Sequence, residues 1–428
     1  MKENRGSVLI ISREFIPYAS SFGGVVRMVK LADYLVSNNF QVYTLSGKGG
    51  QPNYYGYESV VDKINCYYVT DKMQDVRRSS SFGANGLFQK IKFNVLKNIR
   101  KAVEMVLVPD LGVLYVPAFF RSAINLIKKY RIKNIIVTSP VPSNLLVGYF
   151  LKIYFKDEIN FIIDYRDSWN TTAIFKKNIK VISWISSRLE KKVLSSCDHF
   201  VYVTPAILDK VTTEIMGDDI LLAKSSLIRN GYDGAMLRAY ENLAFIENEC
   251  LTIGYFGAID DRPNSFRNPK KFLEAFESAS QKLKLKICFF GKVNIGKEWN
   301  DRLGDNMIIC GNLNHSEAMK KMNEMDVLLV IHTEEEGADE VMPGKIYEYI
   351  TTGKPLLSIG PHNLEVSKFV NSNRLGYTSE NEVLSIEKTL LEIHSDWLSS
   401  NMKAYDSSLI KQYDRSVQYK SFLNILDR

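Results

Sequence analysis

Residues 340–360 of this 428-residue chain read EVMPGKIYEYITTGKPLLSIG, from Glu340 to Gly360. The residue types spell loop, short helix, turn and buried strand. Pro343 suits a first helical turn, where its missing N–H would have no partner. Ile346, Tyr349 and Ile350 recur at helical spacing and predict a core face. Lys345, Glu348 and Thr352 fall on the opposite, polar face. Gly353 stops the helix, and Pro355 leads into a strand at 356–359. The helix start offers the N–H groups of Gly344, Lys345 and Ile346 and the positive end of a helix dipole, which together can hold a phosphate. Glu340 and Glu348 flank that end. Carboxylates beside an anion site suit a ligand with both phosphates and hydroxyls, such as a nucleotide sugar. A plainer reading also fits: Lys345 and Glu348 as a solvated pair, and Glu340 as a loop acid.

On the N-terminal side, apolar runs alternate with helical patterns. Strands are predicted at 7–12, 40–45, 64–69, 134–138, 160–163, 199–203 and 226–230, then at 251–256, 285–290, 307–310 and 327–331. This alternation predicts two doubly wound α/β domains with ligands at the carboxyl ends of their strands. The loop after the first strand ends in Gly23-Gly24 before a helix, an arrangement that suits a ligand cradle or a tight turn. G-x-G-x-x-G is absent, which makes a nicotinamide-dependent dehydrogenase a poor reading. Two further strand-end loops are Ser139-Pro140-Val141-Pro142-Ser143 and Asp164-Tyr165-Arg166-Asp167-Ser168-Trp169. Arg166 and Asp167 either face a ligand or pair with each other and brace their loop.

Glu340, seven residues, then Glu348 resembles the E-x7-E element of retaining GT-B glycosyltransferases, family 4 in particular. Pro343, Lys345, Glu348 and Tyr349 in P-x-K-x-x-E-Y, with Gly353-Lys354-Pro355 after them, carry the likeness further. The S-P-x-P-S and D-Y-R-D-x-W loops resemble the acceptor domain of members that build bacterial surface polysaccharides. The resemblance implies a GT-B α/β fold, two Rossmann-like domains facing a central cleft. It divides the chain into an acceptor-binding domain at 1–234, a linker at 235–250, a nucleotide-sugar domain at 251–408, and a tail at 409–428 that crosses back to the first domain. It implies that Glu340 contacts the donor sugar and that Glu348 binds the ribose hydroxyls. It puts Arg262 and Lys270 on the donor diphosphate, with Lys292 a third candidate, and completes the donor site with Gly23, Gly24, Pro343, Gly344, Lys345 and Ile346. Ser139, Asp164, Arg166 and Asp167 fall on the acceptor side. No D-x-D is present, so neither a metal nor another cofactor is expected; cations and the helix terminus would meet the leaving charge. The implied reaction is retaining transfer of a sugar from a nucleotide-sugar donor to an acceptor such as a lipid-linked sugar at the inner membrane face. One departure is the loop 138–143, which lacks the His that many members place near the reacting sugar. A GT-B nucleotide-sugar epimerase and a non-catalytic envelope-assembly scaffold are the alternatives.

Composition is that of a soluble globular protein, 45% hydrophobic and 24% charged. No secretory signal is read before the first strand, and no run is read as membrane-spanning. The five cysteines are scattered without zinc spacing and are expected to be reduced core residues of a cytoplasmic protein. Net charge is +7, and base concentrates in 87–133. There Lys90, Lys92 and Lys97 interleave with Phe88, Ile91 and Phe93. That pattern suits an anionic membrane surface, or a helix whose basic face is solvated. No RNA- or DNA-binding module accompanies it, so nucleic acid is not an expected partner.

Overall fold

Each of the apolar runs named above forms a strand, and among the described residues every sheet is parallel. The structure, a computed structural model, describes residues 4–20, 22–70, 98, 103–172, 175–235, 248–263, 265–332, 337–403 and 407–427. Of the basic segment read at 87–133, residues 87–97 and 99–102 fall outside the described residues, and so do 236–247 of the expected linker. The chain divides into Met1–Arg229 with Tyr419–Arg428, and Asn230–Gln418.

The first unit holds strands β1 (Gly6–Ile11), β2 (Phe40–Lys48), β3 (Asn65–Thr70), β4 (Asn134–Ser139), β5 (Asn160–Tyr165), β6 (His199–Tyr202) and β7 (Ser225–Leu227). Their order is β3-β2-β1-β4-β5-β6-β7, so the winding reverses between β1 and β4. Helices cover both faces, which is why these strands read as continuous apolar runs. Leu9 and Ile11 enter one core layer, Val8 and Ile10 the other. Helices Val116–Tyr130, Ser143–Phe155 and Lys180–Ser196 contribute to the first layer; helix Val26–Ser37 contributes to the second. Gly148 sets how closely helix 143–155 lies on β5, since a Cβ there would come within 2.2 Å of the Phe161 ring. Leu111–Tyr130, at 20 residues, is long and apolar enough to cross a membrane by length and composition alone. Its Val116, Phe119, Ala123, Leu126 and Ile127 are buried on the sheet, which makes it a core helix.

The second unit holds β8 (Leu251–Phe256), β10 (Leu285–Phe290), β12 (Met307–Gly311), β13 (Val327–Ile331), β14 (Leu356–Ile359) and β15 (Gly376–Ser379), with a small pair β9 (Ile259–Asp260) and β11 (Val293–Asn294). The main order is β12-β10-β8-β13-β14-β15, reversing between β8 and β13. Beyond Gly360 the chain adds helix Glu365–Ser372, β15 and helix Val383–Leu398, which no motif announced.

The tail expected at 409–428 is broken into three elements. It runs as Ser407–Ile410, a 3-10 turn Lys411–Tyr413 and helix Arg415–Leu426. Ile410 and Tyr413 pack in the second unit's core, Tyr419, Phe422 and Ile425 in the first unit's. Cys197 and Cys288 are buried as core residues, but Cys310 is exposed.

Candidate functional site

In the second unit the loops after β8 and β13 leave neighbouring strands where the winding reverses, the place where open α/β sheets bind ligands. The loop after β13 leads to the single-turn helix Lys345–Tyr349, extended by a 3-10 turn and ended by Gly353 at φ 73°. Pro343 stands just ahead of the N-cap Gly344, outside the helix. The Ile346 N–H donates to the Pro343 carbonyl at 3.2 Å, so it is spent within the first turn. Gly344 is exposed. The buried face is wider than its spacing predicts, because Tyr347 is also buried, its ring 5.7 Å from Phe369 and 6.0 Å from Tyr413.

Lys345 and Glu348 are half-buried and are not a solvated pair. Lys345 Nζ donates to the Phe256 carbonyl at 3.2 Å and lies 3.7 Å from the Tyr255 ring centroid. Burial, and then the nearby Arg267 charge, hold its pKa well below that of an ordinary lysine. Tyr349 Oη accepts the Phe256 N–H at 2.9 Å, so two residues of one helical turn grip the end of β8. Arg267 also reaches Tyr255, whose phenol burial pushes up to about 12 while Arg267 pulls it down. Burial raises the pKa of Glu348; His315 and Arg415 oppose that, and Asp233 adds to it. A carboxylate short of solvent gains from hydroxyl donors. A cation pair short of solvent gains from an anion. Glu340 is 1% exposed, in the loop that follows residues 333–336, which lie outside the described residues.

The expected diphosphate cations are placed otherwise. Arg262 is exposed and clasps Asp260, with Nε 2.8 and 2.9 Å from its two oxygens. This clasp holds the Asp260 carboxyl far below the usual range and leaves Arg262 matched by its own acid. Lys270 and Lys292 are exposed. Arg267 is the loop cation whose charge is felt at Lys345, Tyr255 and Tyr349. Sequence reasoning passed over it, although it stands three residues before Lys270 in the right loop.

In the first unit a cavity of about 710 Å³ opens beside the reversal between β1 and β4. Arg13 and Glu14 after β1, Pro140 and Val141 after β4, and Arg166 after β5 line it, with Gly24, Asp110 and Lys177. Arg13 is buried over the Tyr115 ring, 5.0 Å from its centroid. Asp110 accepts from the Gly112 N–H at 2.6 Å and from the Ser143 N–H and Oγ at 2.9 and 3.0 Å. Burial nevertheless raises its pKa. Lys177 Nζ donates to the Glu104 carbonyl at 2.7 Å, and burial lowers its pKa. Arg13, Asp110 and Lys177 were not singled out in the sequence; the one signal was Asp110, an isolated acid in a basic stretch.

Arg166 donates to the Gly24 carbonyl, and its Nε lies 3.5 Å from Asp167. Gly24 and Arg166 therefore meet at the cavity, whereas Gly23 is exposed with open space around it. Ser139 is fully buried and accepts the Arg166 N–H on its carbonyl at 3.2 Å. Asp164 corrects the sequence reading. It is 0% exposed and holds Arg27 at 2.7 Å, with Thr138 Oγ1 donating to it at 3.0 Å. Arg27 also donates to the Ile228 and Arg229 carbonyls, so this acid braces the core. Tyr165 and Trp169 are likewise structural: Tyr165 donates to Glu190 at 2.9 Å and Trp169 to Ser186 at 2.9 Å.

No family model matches the sequence, and no curated protein matches it. Solved structures match over the full length. The lipopolysaccharide outer core galactosyltransferase WaaB in its apo form has a TM-score of 0.61 at 11% identity, over 98% of this chain and 99% of its own. Sucrose-phosphate synthase from Thermosynechococcus elongatus has 0.58 at 14% identity, over 98% and 96%. A structure titled trehalose-6-phosphate from E. coli bound with UDP-2-fluoro glucose has 0.59 at 11% identity, over 99% of both chains. At such identities the likeness establishes the fold: this chain is an α/β protein of the GT-B type, with two Rossmann-like units.

Proposed function

We propose that the protein is a retaining glycosyltransferase that moves a sugar from a nucleotide-sugar donor to a lipid-linked saccharide acceptor at the inner face of the cell membrane, in envelope polysaccharide biosynthesis. One observation carries the donor half: at the β8/β13 reversal, the half-buried Glu348 with its raised pKa shares one helical turn with Lys345, where the charge of Arg267 is felt. Glu348 takes the ribose hydroxyls, and Lys345 and Arg267 take the diphosphate. Glu340 is assigned to the donor sugar through the E-x7-E likeness. The bond from the anomeric carbon to the diphosphate breaks with its electron pair leaving on phosphate oxygen. The acceptor oxygen bonds to the same face, and its proton passes to the departing diphosphate. Removing one stabilising donor from such a site typically costs about 10²–10³ in rate. Solved neighbours that are glycosyltransferases, and one titled as bound to UDP-2-fluoro glucose, support a nucleotide-sugar donor.

The test pairs a thermal-shift screen of nucleotide sugars with proton NMR of the product from the stabilising donor, since a ligand stabilises in proportion to its saturation. The expected product keeps the donor's anomeric configuration. An inverted product would overturn retention. Interconversion of the donor without acceptor would make the protein an epimerase, and no stabilisation by any nucleotide sugar would remove the donor site.

A further inference from the structure

The helices Ser143–Phe155 and Lys180–Ser196 pack side by side on the first sheet and leave an apolar outer surface uncovered. Val181, Trp184 and Ile153 are 66%, 58% and 54% exposed, and Phe150, Tyr154 and Ile185 are exposed beside them in sequence. All exposed charge on these two helices, and on the adjacent helix Val116–Tyr130, is basic. Their single acid, Glu190, is fully buried and accepts from Tyr165 and Asn170. A groove beside Trp184 is lined by Tyr149, Arg188, Lys191 and Lys192, with the Arg188 guanidinium 4.5 Å over the Trp184 ring.

We propose that this outer face docks on a bilayer surface rich in anionic lipid. The apolar side chains would enter the boundary between headgroups and acyl chains, Trp184 would sit at the interface where indole is favoured, and the cations would meet lipid phosphates. A second copy of the chain fits less well, because the flanking acids Asp218, Asp157 and Asp198 are already paired with Lys191 and Lys152, which leaves Arg188 and Lys192 of each copy set against the other's cations. The inference rests on the membrane part of the function proposed above and names the surface that serves it. Docking needs neither donor nor acceptor, so the two can fail separately.

The full chain is floated with phosphatidylcholine vesicles, with and without phosphatidylglycerol. Flotation is expected only with phosphatidylglycerol and should fade as salt rises. Lys191→Glu with Lys192→Glu should weaken it by on the order of tenfold or more, since each exposed cation near such a surface contributes about fivefold. Lys284→Glu with Lys320→Glu, the same charge change on exposed residues of the second unit, should leave it unchanged. Bromine on the lipid chains should quench tryptophan fluorescence in the parent protein, and Trp184→Phe should float yet lose most of that quenching, because Trp169 and Trp299 are buried and the half-buried Trp397 belongs to the second unit. Melting curves confirm that each variant is folded. The proposal is overturned by absent flotation on anionic vesicles, by equal flotation of the Lys191/Lys192 variant, or by unquenched fluorescence. A lipid-free dimer broken by those same substitutions would overturn it too, by seating a second copy there. Donor binding by calorimetry is read separately: its loss would sink the transferase reading and leave the docking result standing.

Discussion

Glu348 and Asp164 are both acids drawn from motif-like stretches, and their surroundings give them opposite fates. Asp164 is wholly enclosed with a dedicated arginine, whereas Glu348 keeps partial exposure and a raised pKa. A carboxyl raised above its ordinary 4.5 binds more protons folded than unfolded between the two values. The unliganded protein therefore loses stability as pH rises through that window. Glu348→Gln removes that loss, so it is expected to raise the unliganded Tm at neutral pH and to flatten the Tm profile toward acid. The same change should weaken nucleoside diphosphate binding by roughly tenfold or more, the worth of a charge-assisted hydrogen bond. Melting curves with and without nucleotide read both; a lower Tm together with unchanged affinity would make Glu348 a partner of Arg415 alone. Asp164→Asn strands the buried Arg27 and should cost about 3–5 kcal/mol in urea unfolding, with turnover per folded molecule kept. Intact stability with lost turnover would restore Asp164 to the chemistry.

Among the elements, the loop between β8 and helix Lys270–Ser280 carries two arginines five residues apart. Arg262 is matched by Asp260 two residues back, while Arg267 belongs to the cluster with Lys345 and Tyr255. Arg267→Ala is expected to weaken nucleoside diphosphate binding by roughly tenfold, and Arg262→Ala by no more than about twofold, because an exposed ion pair contributes little. Isothermal calorimetry on the two variants decides it; the reverse ranking would move the diphosphate to Arg262. The same contrast shows how far local reading reaches. Arg262 was legible as a candidate for a diphosphate, but the direction in which the loop turns its cations was not.

At the scale of the whole molecule, the tail contributes to both units. Phe422 is fully buried with Tyr419 and Ile425 in the first unit's core, and Tyr413 donates to Asn373 in the second at 2.9 Å. Phe422→Ala should destabilise the first unit by about 3–5 kcal/mol. Nucleotide binding, read by calorimetry below the unfolding transition, should survive because its residues lie in the second unit. A loss under about 1 kcal/mol would mean that the tail is peripheral to that core.

Strand positions and the helix stop at Gly353 were legible in the sequence because each depends on neighbours a few residues away, and parallel pairing followed from the alternation of strands with helices. A strand buried on both faces must be apolar throughout, and a residue at φ 73° is best a glycine. The break in the tail at Asp414 was not legible, because an apolar pattern along the chain does not show that its two halves pack in different cores. The site depended on pairs far apart in the chain: Arg27 with Asp164 across 137 positions, and Lys345 with the Phe256 carbonyl across 89. Strand order alone decides which loops meet at the reversal points. A charge's burial, pKa and partner are set there, and the spacing of residues along the chain carries no record of them.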